Sequence, residues 1–171
     1  AQALGARFLD EDNHELPLGG AALKALAKIN TTKLDPRLKD TEIIIASDVI
    51  NPLIGPKGAS VVFGPQKGAT PLMVEELDQA LAHYAAVIER DLEIKIKEQP
   101  GAGAAGGLGA GLLVFTGAKM HSGIDLVIEL TDLEEKIAHA DYVFTGEGGM
   151  DFQTKFGKTP YGLSLIHISE P

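Results

Sequence analysis

Glu42-Ile43-Ile44-Ile45-Ala46-Ser47 runs straight into Asp48-Val49-Ile50-Asn51-Pro52, and further on Asp141-Tyr142-Val143-Phe144-Thr145 runs into Gly146-Glu147-Gly148-Gly149-Met150-Asp151. Each is a short, continuous run of β-branched or aromatic residues ended by turn formers. That pattern predicts a strand buried on both faces. Helical periodicities lie around and between the two runs, so the fold class is expected to be α/β. In open α/β sheets ligands sit beyond the carboxyl ends of strands, where loops converge. Asp48, Glu147 and Asp151 fall at those ends and are candidate bases or metal ligands; an Asx turn is the ordinary alternative for Asp48 and Asp151.

Outward from these strands, the clearest helix starts at Thr70-Pro71. Thr is a good N-cap, Pro suits the first helical position, Glu75 and Glu76 lie near the start, and Leu77, Leu81, Tyr84, Ile88 and Leu92 form one stripe. It reads as scaffold. Upstream, Ala1–Gly5 reads as a helix end closed by Gly, Leu23, Leu26 and Ile29 have helical spacing within Gly19–Asn30, and Asp35-Pro36 marks a turn. Downstream, Leu92-Glu93-Ile94-Lys95-Ile96 alternates like a strand. Ile124, Val127 and Ile128 suit a helix, and Thr131-Asp132-Leu133-Glu134 resembles a capping box.

Composition narrows the function classes. The 171 residues carry 15 Lys and Arg against 24 Asp and Glu, a net charge of -9. A chain of this length can bury ~70% of its unfolded surface without disulfides or a structural metal. Its acidity, with no basic run, disfavours nucleic acid and anionic membranes as partners. No apolar run approaches the ~20 residues of a membrane span. The absence of Cys removes disulfides, thiolate zinc sites and Cys nucleophiles together. Small-molecule chemistry remains.

Gly101-Ala102-Gly103-Ala104-Ala105-Gly106 fits G-x-G-x-x-G, a pattern that can seat a pyrophosphate on backbone N–H groups. Pro100 separates it from the preceding strand candidate and no acid follows at the end of a second strand, which counts against a dinucleotide site; a nicotinamide-dependent oxidoreductase using Gly101–Gly106 and a catalytically inert scaffold fragment are the alternative readings. Close packing of two elements explains the same glycines. Lys57 and Lys67 flank Val61-Val62-Phe63 in a Gly/Pro-rich loop, where a phosphoryl-handling site would place cations; solvated surface lysines are the plainer reading. Gly157-Lys158-Thr159 mimics the end of a P-loop, but Phe152 stands where that motif needs Gly. There is no H-E-x-x-H and no G-x-S-x-G, which leaves zinc hydrolysis and Ser-hydrolase chemistry without a starting point.

Taken together, Ser47 through Thr70, Pro100 through Gly109, and Thr145-Gly146-Glu147-Gly148 with Asp151, Gln153, Thr154, Gly157 and Lys158 closely resemble the type-1 glycerate kinases, four motifs in order across residues 1 to about 162. The resemblance implies a fragment of a two-domain α/β kinase with the active site in the interdomain cleft. It implies ATP and Mg2+ as cofactors and phosphorylation of D-glycerate to 2-phosphoglycerate. The partners it implies are glycerate and a nucleotide, in a cytoplasmic enzyme. Asp48, Asp151 and Lys158 become catalytic candidates and Asp48, Glu147 and Asp151 metal ligands. Asn51, Lys57, Lys67, Gly101, Gly103, Gly106, Gly107, Gly146 and Gly148 become substrate or phosphate contacts. One departure is Gly149, where the family has a basic residue whose contact would be worth ~1.5–3 kcal/mol. The expected division is 1–140 for most of the second domain, 141–162 for the return to the first, and 163–171 for a non-native tail. That tail, Leu163–Pro171, matches a translated transposase sequencing adapter. The family's Gly/Ser/Asn/Asp-rich segment ahead of Ala1 is not in the sequence, so the fragment alone is expected to be inactive.

Overall fold

A computed structural model describes residues 1–144 and 146. In chain order the elements are strands β1 (Arg7–Leu9), β2 (Lys28–Asn30) and β3 (Ile44–Ala46), helices α1 (Ala59–Phe63), α2 (Pro71–Leu92) and α3 (Ala104–Thr116), strand β4 (Lys119–His121), and helices α4 (Gly123–Leu130) and α5 (Leu133–Ala138), with short 3₁₀ helices between. The fold is α/β. β1 pairs antiparallel with β2, setting Phe8 opposite Ile29, and β3 pairs with β4. By compactness the chain divides into two units, Ala1–Ile45 with Val49–Met120 and Ala46–Asp48 with the chain from His121.

The first unit is organised by α2. Thr70 is extended and its hydroxyl accepts the Met73 N–H at 3.3 Å, Pro71 follows at the first helical position, and Glu93 ends the helix in the left-handed conformation. Leu81, Tyr84 and Ile88 of the expected stripe are buried, each contributing about 1.5–3 kcal/mol on leaving water. Phe8 of β1 packs on this face, 6.1 Å from the Tyr84 ring and 5.4 Å, edge-on, from Phe115 of α3. Burial holds the Tyr84 phenol well above its ordinary pKa, so it sits in the core neutral. Asp91, next to the helix end, accepts the Ile29 N–H at 2.8 Å and ties α2 to β2.

Two expectations for this unit change. Within Gly19–Asn30 the chain forms a 3₁₀ helix over Gly20–Ala25 and then extends into β2, because pairing with β1 claims Lys28–Asn30. Leu92–Ile96 is not a strand: α2 runs through Leu92, and Ile96 is buried in the core without strand pairing. The Ala1–Gly5 reading holds in shorter form, a 3₁₀ helix over Gln2–Leu4 closed by left-handed Gly5.

In the second unit, α4 begins after Ser122 and packs with α5. The capping box does not form. The Thr131 hydroxyl donates back to the Val127 carbonyl at 2.7 Å, closing α4, and Asp132 takes the α5 N-cap position with φ 48° and no side-chain cap. Across the two units, neither predicted strand is buried as expected. Ile44 keeps 39% exposure in β3, which has one pairing partner, β4, among the described residues. Asp141–Phe144 forms no strand, and Phe144 is 93% exposed, since none of the described strands lies beside it. Thr145 lies outside the described residues.

Candidate active site

The segment between β3 and α1 is held in place by its own chemistry. Leu53 is fully buried in the core of the first unit, its N–H donating to the Lys97 carbonyl at 3.2 Å and its carbonyl accepting the Ala59 N–H at 3.1 Å. Beyond this anchor Gly55-Pro56-Lys57-Gly58 makes a turn closed by the Gly58 N–H on the Gly55 carbonyl at 2.8 Å, which places Lys57 at its tip. The Asn51 side-chain amide donates to the Lys57 carbonyl at 2.8 Å and straps the loop across its base. Lys57 is exposed, and so is Lys67, at the end of a 3₁₀ helix over Pro65–Lys67. Among the described residues neither ammonium has an ion-pair partner.

The glycine motif divides into two jobs. Gly101 and Gly103 are buried. A Cβ on Gly103 would lie 2.2 Å from the Pro52 carbonyl oxygen, and its N–H donates to the Asn51 carbonyl at 3.0 Å. The Ala102 and Ala104 N–H groups bond Gln99 and Gly101. These amides are therefore committed inside the protein, and the Gly103 amide holds the base of the Lys57 loop. Ala105, Gly106 and Gly107 follow with three successive positive φ values, a left-handed turn before regular α3. Gly106 and Gly107 face a cavity of about 370 Å³ lined also by Phe8, Leu23, Leu81 and Tyr84. Turn residues, not a strand, precede Gly101, so the context that a dinucleotide fingerprint requires is missing.

Asp48 belongs to the second unit. Its exposed carboxylate accepts the Gly123 N–H at 2.9 Å, at the first residue of α4. That bond uses one of a carboxylate's roughly four lone-pair sites, so the oxygens still suit a hard cation such as Mg2+. Gly146 is described and exposed. Glu147, Gly148, Gly149, Asp151 and Lys158 lie outside the described residues. Sequence reading missed Asp78 of α2, whose carboxylate bonds the Gly55 N–H. The available signal was its place next to Leu77 and one turn before Leu81, at the edge of the buried stripe. It also missed Asp10, Asp12 and His14, whose potential ligand atoms lie within 4.8 Å of one another. There the Asp10 carboxylate already accepts the Asp12 and His14 N–H groups, an Asx turn that accounts for the cluster.

A model of the glycerate kinase family matches residues 1–168. The chain belongs to the glycerate kinase family. A glycerate kinase of Halalkalibacterium halodurans is 50% identical over 164 residues, covering 96% of this chain and 43% of that protein. The glycerate 2-kinase of Escherichia coli K12 is 50% identical over 165 residues, with the same coverage of each chain. A crystal structure from Salmonella typhimurium LT2, named for glycerate kinase 2, superposes with a TM-score of 0.89 at 49% identity and covers 99% of this chain and 46% of that one. The chain thus spans less than half the length of the relatives it matches. Among the described residues no helix is long and apolar enough to cross a membrane.

Proposed function

We propose that the protein carrying this chain phosphorylates D-glycerate with ATP, giving 2-phosphoglycerate, and that this chain supplies one part of a cleft between two α/β domains. The observation that carries the reading is 50% identity to glycerate kinases sustained over 96% of the chain, well beyond a shared fold. In the reaction a glycerate hydroxyl oxygen forms a bond to the γ-phosphorus, the bond to the departing ADP oxygen breaks, and the hydroxyl proton passes to a base. Lys57 and Lys67 suit the anionic oxygens of phosphate or glycerate carboxylate: both are exposed, and among the described residues both lack ion-pair partners. Lys158 would serve the same end, and Gly146 and Gly148 would offer backbone contacts to the phosphate or substrate. Gly106 and Gly107 offer the open face of the glycine motif, while Gly103 and Asn51 set the loop base and Gly101 packs against Met120. Mg2+ would be held by Asp48 with Glu147 and Asp151, and when bound neutralises charge on the transferring group. Asp48 or Asp151 takes the proton.

The test is a chain of the relatives' full length carrying this segment, for instance the segment exchanged into the Escherichia coli enzyme. Expected are glycerate-dependent ADP release and a 2-phosphoglycerate resonance in the phosphorus NMR spectrum. No turnover with glycerate would sink the proposal, and saturable NADH binding without kinase activity would replace it with the oxidoreductase reading.

A further inference from the structure

We propose that Asp78 is a positioning residue, holding the Lys57 turn onto α2 so that its ammonium meets the anionic reactant; this rests on the functional reading above. Both oxygens of the Asp78 carboxylate lie within reach of the Gly55 N–H, at 3.1 and 3.3 Å. Gly55 opens the turn with φ 86°, a conformation glycine enters freely and as freely leaves, so a hydrogen bond at its N–H is what fixes it. The Gly55 carbonyl then accepts from Gly58, and the Lys57 carbonyl accepts from Asn51. Lys57 is thus held on two sides. Asn51 acts from the glycine-motif side, where the Gly103 N–H holds the Asn51 carbonyl, and Asp78 acts from the helix side.

The two supports differ in kind. Asn51 is a loop residue next to the loop it straps, whereas Asp78 sits in the third turn of a 22-residue helix whose inner face is packed in the core. A rigid, half-buried carboxylate that receives a backbone N–H transmits the position of the helix to the turn. Its hydrogen bond stabilises folding little more than any other charge-assisted bond. Its effect on Lys57 is larger, because a lysine side chain has no other restraint at this exposed tip and a misplaced cation loses binding steeply.

Two measurements test the assignment. Amide exchange read by NMR should show Gly55 and Gly58 exchanging faster by about tenfold in Asp78→Ala than in wild type or Asp78→Asn, since Asn keeps an acceptor oxygen. This readout does not depend on activity, so it stands even if glycerate turnover fails. In the full-length enzyme carrying the segment, Asp78→Ala should raise the KM of one anionic reactant about five- to twentyfold with kcat changed less than threefold, and Asp78→Asn should restore it. The double variant with Lys57→Ala should be no worse than Lys57→Ala alone. Unchanged Gly55 exchange, an unchanged KM with only a lowered Tm, additive effects in the double variant, or no KM effect of Lys57→Ala would each overturn the proposal. Wild-type enzyme that ignores glycerate would instead remove the functional reading, leaving the exchange result to decide the clamp.

Discussion

Replacing Gly103 by Ala separates a fold-building glycine from a ligand-facing one. The Gly103 backbone, at φ -77° and ψ -8°, is open to any residue, so dihedral strain plays no part. The obstacle is contact: the new Cβ would stand 2.2 Å from the Pro52 carbonyl oxygen and 3.1 Å from that of Asn51. Backbone must move by about 1 Å to reach ordinary contact distance, at about 1–3 kcal/mol for overpacking. The movement also stretches the Gly103 N–H bond to Asn51, now 3.0 Å, a further ~0.5–1.5 kcal/mol. The expected total is about 3 kcal/mol, or a fall of roughly 6–12 °C in Tm. Two neighbours serve as controls. Gly106→Ala meets nothing within 4 Å but must hold φ 74°, so it should cost about 1 kcal/mol. Gly111→Ala, in regular helix with open space around it, should stabilise by about 0.5–1 kcal/mol. Urea unfolding followed by far-UV circular dichroism reads all three. A Gly103→Ala variant within 0.5 kcal/mol of wild type, or a loss at Gly106 exceeding that at Gly103, would refute the close-approach argument.

Asp48→Asn keeps an acceptor for the Gly123 N–H, so α4 and Tm should be unchanged while turnover in a full-length enzyme falls at least about a hundredfold; a variant above half the wild-type rate excludes Asp48 from the chemistry. Leu53→Ala should cost about 2–5 kcal/mol by emptying a fully buried site, measured by the urea midpoint, and a loss below 1 kcal/mol would mean that Leu53 is not the loop's anchor. The Arg90 guanidinium beside Asp91, aided by the Ile29 N–H, holds the Asp91 carboxyl below the usual carboxylate range. A folded-state pKa lowered in this way gives stability that is complete above the unfolded value near 4 and is lost as pH falls through the folded one. The urea midpoint should therefore drop between about pH 5 and 3. Asp91→Asn should flatten that drop, and an unchanged acid slope would show that the pair contributes nothing.

Elements whose signals are local were legible in the sequence. Thr70 and Pro71 fix the start of α2 by their own hydrogen bonding and φ, and the stripe from Leu77 to Leu92 states its buried face. Elements decided by distant partners were not. Leu23, Leu26 and Ile29 have helical spacing, yet β1 recruits Lys28–Asn30 into a strand, a choice that neighbours in sequence do not encode. The run Glu42–Ser47 does hold a strand, Ile44–Ala46, but its burial was overstated, because an apolar run says what could be covered and not what covers it. The same division runs through the site. Lys57 was found from its Gly/Pro-rich loop and Asn51 from the family resemblance. Asp78 was not, because its role lies in a bond to a backbone N–H 23 residues away.

The glycine motif shows why a letter-for-letter match misleads about its ligand. In a dinucleotide site small residues admit the pyrophosphate to the backbone. Here the first two glycines solve the same steric problem for different visitors, the Met120 side chain and Val49 carbonyl at Gly101 and the Asn51-Pro52 backbone at Gly103, and the Gly103 amide goes to a peptide carbonyl. Only Gly106 and Gly107 border open space. Gly103 therefore reaches the proposed chemistry at one remove. It holds the base of the loop whose tip carries Lys57, so damage at Gly103 should appear first as lost stability and then as a misplaced cation. Damage at Gly106 should appear in ligand affinity with a smaller loss of stability, whereas a Cβ at Gly107 would also press on Leu53 and Leu81 at 3.3 and 3.4 Å. An acidic chain of net charge -9 can bind an anion on these terms. The attraction acts at hydrogen-bond distance from a cation fixed in place, while repulsion from distant surface charge is screened over a length of about 8–10 Å at ordinary salt.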